Sequence, residues 1–480
     1  MTEQNKADFV SAGTLGDAQY IFPTTLAQQA LWFLDRLEPG NPAWNIAVRF
    51  RIAGQLDVPT LELALNEIVR RHEILRTTFS FIDHAPMQIV HETASIPLPI
   101  DDLSNFSAAE RDAEEERRTI TEGSLRFDLK SGPLLRARLL RLSQRDHMLI
   151  ITVHHIVSDG WSIGVITDEL AAHYTAVISG EASAIPEPTL QYADYAVWEK
   201  NRQQDELDQH RAYWQEKLSD LPLCEIPPDH PRPQTRTHNG YILSMLLPIP
   251  LTKALEDFSR KQGCTFFTTA LAVLKVLIAH YTAKKDIYVC TLLAGRDRVE
   301  LEPLIGVFIN TIVIRTDLSG DPTFLELLHL VRHTIEEGIA HQDLHFQQVV
   351  ETLRLKRDLS RPTLCSINFI YQRDFVKRLE FAGLTMIPVP SKSPGAIYDL
   401  NFFMVQRSDG WRLSCEYNYD LYESESVNRM LGQLRHLFEQ IIGDPDRHLS
   451  QFSLPEGAGH PLPKFVPRSR LALESQTTTA

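Results

Sequence analysis

Along this chain the spacing of apolar residues changes period several times, and each change marks an element. From Thr24 to Leu37 (TTLAQQALWFLDRL) they recur at helical spacing behind a threonine cap, which predicts a helix with Leu26, Ala30 and Phe33 on one face. Leu61 to Arg71 reads as a second amphipathic helix, and Ala108 to Glu122 as a charged one with a mostly solvated surface. Leu135 to Leu142 alternates roughly and leads into Met148 to Val153, an apolar run of strand length. Between Gly180 and Asn239, prolines from Pro186 to Pro233 bracket one helical stretch, Tyr195 to Leu218, a pattern that reads as a bridge between two lobes. Beyond it, Leu251 to Lys261, Phe266 to Tyr281 and Ser426 to Ile442 read as helices, and Ile287 to Leu293 and Thr311 to Thr316 as strands. The result is an α/β chain divided into a polar N-terminal tail (1–20), an N-terminal lobe (21–180), a bridge (181–239), a C-terminal lobe (240–455) and a disordered C-terminal tail (456–480).

Composition narrows the function classes. The chain has 480 residues, 43% of them hydrophobic and 23% charged, which is an ordinary globular mix. Forty-eight Lys and Arg against 62 Asp and Glu give a net charge of −14, which opposes docking on nucleic acid. Phe266 to Tyr281 is the longest apolar helical run; it contains Lys275 and His280 and falls short of the ~20 residues that cross a bilayer. The first residues lack the basic start and apolar core of a secretory signal, so a cytoplasmic protein is expected. Five scattered cysteines (Cys224, Cys264, Cys290, Cys365, Cys415) contain no C-x-x-C pair and suggest neither a zinc site nor a disulfide framework.

The chemistry concentrates in Leu149 to Ser162, LIITVHHIVSDGWS: an apolar strand, two adjacent histidines, a short loop with Asp159-Gly160, then a helix. Strand alternation sends His154 and His155 to opposite faces, which disfavours a shared metal and leaves one histidine facing a cavity. An imidazole titrating near ~6.5 can take a proton from a nucleophile or orient it. Asp159 has two possible jobs: it contacts the imidazole as in a triad, or it holds the loop by pairing with an arginine from elsewhere. Gly160 permits backbone angles closed to other residues and suits a sharp turn.

That string does not stand alone. With TLAQQALWFLDRL (Thr25 to Leu37), RHEILRTTF (Arg71 to Phe79), YADYAVW (Tyr192 to Trp198), IGVFINTIVIR (Ile305 to Arg315), HQDLHF (His341 to Phe346) and RDLSRPTL (Arg357 to Leu364), it resembles the ordered motifs of nonribosomal peptide synthetase condensation domains, relatives of chloramphenicol acetyltransferase. Ala30 stands where that family commonly has Arg, His345 where it has Pro, and Tyr398 where Phe is frequent. Heterocyclising relatives replace both histidines with aspartate, and this chain keeps them.

The resemblance implies two chloramphenicol acetyltransferase-like lobes forming a V around a central channel, with the site at their junction. His155 is then the catalytic histidine, His154 and Gly160 are structural members of the string, and Asp159 pairs with an arginine of the second lobe, for which Arg296 in AGRDR is the candidate. The implied function is a free-standing condensation enzyme that transfers an acyl group from a thioester on a separate acyl or peptidyl carrier protein to an amine or hydroxyl. It needs no cofactor or metal of its own, the substrate being held on the carrier's phosphopantetheine arm, and a monomer is expected. Two alternatives are a coenzyme A-dependent acyltransferase of the same superfamily and a catalytically silent module that recruits carriers.

Overall fold

The computed structural model describes residues 14–455 apart from 203, 356–357, 373–376, 391–394 and 408–409. The expected C-terminal tail lies outside the described residues. The expected N-terminal tail does so only in part: Thr14–Leu15 pairs with Ala94–Ser95, and Ala18–Pro23 joins a three-stranded sheet with Ala85–His91 and Thr77–Ile82.

Two six-stranded sheets organise the molecule. The first is built around β1 (Asp146–His154), flanked by Asn45–Ala53 and Leu135–Ser143, both antiparallel to it. Every residue of β1 after Asp146 is buried, which explains why its sequence is a continuous apolar run instead of an alternating one. Gly240–Leu246, Gly410–Asn418, Leu400–Arg407, Ile367–Gln372, Asp286–Leu293 and Asn310–Asp317 make the second sheet, in that order. Helix Phe266–Thr282 packs there with twelve of its 17 residues buried, and its Lys275 donates to the carbonyls of Ile287 (3.0 Å) and Ile314 (2.7 Å). Burial pulls this ammonium down to about 7.

The boundary at residue 240 does not separate the two cores. Leu384–Val389 joins the first sheet between Asn45–Ala53 and the edge strand Leu379–Phe381, pairing with Arg49 to Ala53, because its inward residues Leu384 and Met386 complete that core. Leu301, Leu304, Ile305, Val307 and Phe308 pack into it as well. The lobe expected over 240–455 therefore returns twice to its neighbour.

Three further expectations are corrected. The first helix runs from Leu26 to Leu37, here α1, capped by Thr25, and its buried face is Ala27, Gln28 and Leu31, with Phe33 exposed. A polar residue, Gln28, anchors that face, so hydrophobicity alone misplaces it. The bridge carries two helices, Tyr192–Lys200 and Gln204–Lys217, in place of one. Asn201 closes the first, its N–H shared between the carbonyls of Val197 and Trp198. Lastly, Cys290 and Cys365 form a disulfide across 75 residues, since the parallel pairing of Asp286–Leu293 with Ile367–Gln372 brings their α-carbons to 6.0 Å.

Candidate functional site at the lobe junction

β1 ends at His154, and His155 opens a single tight turn, His155–Val157, so the two rings are separated by a change of backbone conformation and not by strand alternation. The Nδ1 of His154 accepts the N–H of Ile156 at 3.1 Å, which puts the proton of the neutral ring on Nε2. Phe127 meets this imidazole edge-on and carries the Arg136 guanidinium 3.7 Å above its own ring. Burial, with the neighbouring His155 and Arg136 charges, pushes His154 down to about 3. It is a neutral structural acceptor throughout the physiological range.

His155 is half-buried, and its Nδ1 is buried with no hydrogen-bond partner among the described residues. Burial lowers its pKa, while the Asp159 charge opposes that shift without overcoming it. The imidazole is therefore neutral near pH 7 and able to accept a proton.

Asp159 makes its bonds elsewhere. It caps α2 (Gly160–Ser179): Oδ1 accepts from the Ser162 N–H (2.9 Å) and hydroxyl (2.8 Å). Arg296 donates to Oδ2 at 2.7 Å and to Oδ1 at 3.1 Å, and the Phe308 N–H reaches Oδ2 at 3.1 Å. With five donors on one carboxylate, no lone pair is left to orient His155, so the arrangement is a pinned loop and not a triad. Gly160 is exposed at the first turn of α2, and a Cβ there would meet nothing within 4 Å. The turn expected of it is made by Asp159, whose extended backbone (φ −133°, ψ −176°) needs no glycine.

The segment from Ala294 to Phe308 closes over this loop. Arg296 lies 4.3 Å over the Phe308 ring, the Trp161 indole N–H donates to Glu302 O at 2.9 Å, and Gly306 N–H donates to the Ser162 hydroxyl at 3.1 Å. Glycine is required at 306 because a Cβ would sit 2.0 Å from the Tyr192 ring. That ring belongs to α3 (Tyr192–Lys200), and its hydroxyl donates to Val307 O at 2.8 Å.

Other motif residues do structural work. Arg71 and His72 surround the buried Glu169 at 3.1 Å each. Although burial opposes ionisation there, the close approach of His173 and His72 and the hydrogen bonds from Arg71 outweigh it and hold the carboxyl well below its usual range. His345 caps Phe346–Leu353, and Arg361 pairs with Glu225 and Asp358. Sequence reasoning did not single out Gln28, Ser162 or Tyr192, although the Thr25-x-x-Gln28 capping box was visible as a pattern.

A family model described as Condensation domain matches residues 18–460. The chain belongs to the condensation domain family. It is 40% identical over 436 residues to a linear gramicidin synthase of Brevibacillus parabrevis, covering 90% of this chain and 6% of that protein. Chondramide synthase of Chondromyces crocatus is 38% identical, covering 90% of this chain and 11% of its own length. The chain thus spans about a tenth or less of these curated relatives. Among solved structures, the X-domain from teicoplanin biosynthesis superposes with a TM-score of 0.81 at 27% identity, covering 92% of this chain and all of that one. The X-domain in its complex with OxyB gives 0.79 at 28%, covering 93% and 99%. This condensation domain is accordingly a homologue of those in nonribosomal peptide synthetases, and it has their mixed α/β fold. Among the described residues no single helix is long and apolar enough to cross a membrane.

Proposed function

We propose that this condensation domain is an acyltransferase that joins an acyl group, delivered as a carrier-protein thioester, to an amine or hydroxyl acceptor. The supporting observation is His155: a neutral imidazole on a turn whose neighbouring carboxylate is fully occupied by Arg296, Ser162 and Phe308. An acceptor amine attacks the thioester carbonyl, the carbon–sulfur bond breaks, and the proton released by the new amide passes through His155 Nε2 to the departing thiolate. A thioester is already activated, so holding the acceptor in line supplies much of the rate, worth several kcal/mol of effective concentration. The catalytic part falls to His155; His154, Asp159 and Arg296 hold its loop, and Gly160 leaves the start of α2 open. The phosphopantetheine arm of the carrier supplies the tether, the domain itself carries no cofactor, and the setting is cytoplasmic.

The test is incubation with a panel of acyl-loaded carriers and amine or alcohol acceptors, read by mass spectrometry, with kcat/KM compared for matched carrier-bound, coenzyme A and truncated thioesters. Higher efficiency on the carrier is expected. Equal or better efficiency with coenzyme A overturns the carrier reading in favour of a coenzyme A-dependent acyltransferase. A second reading, recruitment of a partner enzyme without catalysis, draws on the likeness to an X-domain captured with OxyB. It is favoured if no donor turns over while a carrier still binds.

A further inference from the structure

The turn that carries His155 is held from a side that no catalytic string reveals. Gln28, in the first turn of α1, is fully buried, and all of its amide geometry is accounted for. Its Oε1 accepts the Thr25 N–H at 3.1 Å, which fixes which end of the amide is oxygen. Its two N–H groups then point to Gln88 Oε1 at 3.1 Å and to the carbonyl of Ile156 at 3.3 Å. Ile156 follows His155 directly. Its N–H is taken by His154 Nδ1 at 3.1 Å and its C=O by Gln28, so both peptide groups that flank Ile156 are pinned. Both fasteners are neutral: His154 accepts and Gln28 donates.

We propose that Gln28 is a positioning residue for His155, setting the orientation of the imidazole through the Ile156 carbonyl. The proposal rests on the acyl-transfer reading above. Gln88 supplies an internal comparison, because it is as buried as Gln28, donates to Pro23 O at 2.7 Å and shares the Gln28 bond, yet among the described residues no hydrogen bond joins it to the turn. A purely structural role makes the two glutamines equivalent, whereas a positioning role separates them.

The experiment measures kcat, KM and thermal unfolding for Gln28→Met and Gln88→Met with one loaded carrier and one acceptor. In parallel, ¹H–¹⁵N correlation of the His155 ring across pH reads its tautomer and titration. Gln28→Met is expected to lower kcat at least tenfold with KM within twofold, and to move the His155 ring resonances. Gln88→Met is expected to lower the unfolding temperature comparably with kcat within twofold and the ring resonances in place. Equal losses of kcat in both variants, or unmoved His155 resonances in Gln28→Met, overturn the proposal. Should Gln28→Met not fold, Gln28→Asn keeps an amide in the pocket but is one methylene too short to reach the Ile156 carbonyl, and the same two readouts apply. A parent protein that turns over no donor sinks the acyl-transfer reading, and the ring resonances then decide the placement by themselves.

Discussion

Arg296 and Asp159, 137 residues apart in sequence, meet through two hydrogen bonds of 2.7 and 3.1 Å, with side chains 1% and 0% exposed. Removing either partner strands a charge in a place that water does not reach. Breaking a buried pair in this way costs about 3 to 5 kcal/mol. Asp159→Asn and Arg296→Met are each expected to destabilise the fold on that scale, and the double variant by much less than the sum. Denaturant unfolding of the four proteins checks this, and simple additivity would falsify the coupling.

The two histidines should respond differently to truncation. His155→Ala is expected to remove most turnover with a near-parental unfolding temperature, because the half-buried ring has no hydrogen bond at Nδ1 to lose. His154→Ala leaves the buried Ile156 N–H unsatisfied, a cost of about 1 to 3 kcal/mol, and so lowers stability as well as activity. Product formation and thermal unfolding, measured on both variants, separate the two outcomes.

Acid should weaken the fold through His154. Its folded pKa, about 3, lies below the unfolded value of ~6.5, so the unfolded chain binds the extra proton between those limits. The stability linked to this group is present in full above pH ~6.5 and is lost progressively as pH falls towards 3, at up to about 1.4 kcal/mol per pH unit. His154→Gln, which keeps an acceptor and cannot titrate, is expected to flatten the stability profile between about pH 6.5 and 4. A profile as steep as the parent's assigns the acid sensitivity to other groups.

Two glycines of the site predict opposite outcomes. Gly306→Ala drives a methyl group into the Tyr192 ring, which is buried and tied by its hydroxyl to Val307 O and Thr25, so a loss of about 1 to 3 kcal/mol is expected. Gly160→Ala places the same methyl in open space at the start of a helix and should be neutral or stabilising by up to about 1 kcal/mol. Comparison of their unfolding midpoints is sufficient.

How much of this is legible in sequence follows from where the information resides. The apolar run of β1 is plain from its period, since local pattern dictates it, whereas α2 starts at Gly160, ahead of the Ser162 that the sequence suggests, because Asp159 caps it in addition to pairing with Arg296. Long-range closure is not local: nothing in the pattern of Leu384–Val389 names its partner strand, and nothing in the spacing of Cys290 and Cys365 announces their meeting. The buried face of α1 is misread because its anchor is an amide, and a hydrophobic count passes over Gln28. Gly160 is misread in the opposite direction, as glycine suggests strain where the cap of Asp159 has already made the turn.

The strand Leu384–Val389 has a bearing on how the polypeptide leaves the ribosome. Until residue 389 has emerged, Asn45–Ala53 waits as an open edge, with its outer row of peptide groups unpaired, for the several hundred residues that synthesis must add. At about 5 to 20 residues per second, that wait lasts tens of seconds, long enough for an exposed edge to find another chain. A nascent first half is therefore a natural client for chaperones, and a chain that stops before residue 390 should yield aggregates and not a soluble half-domain.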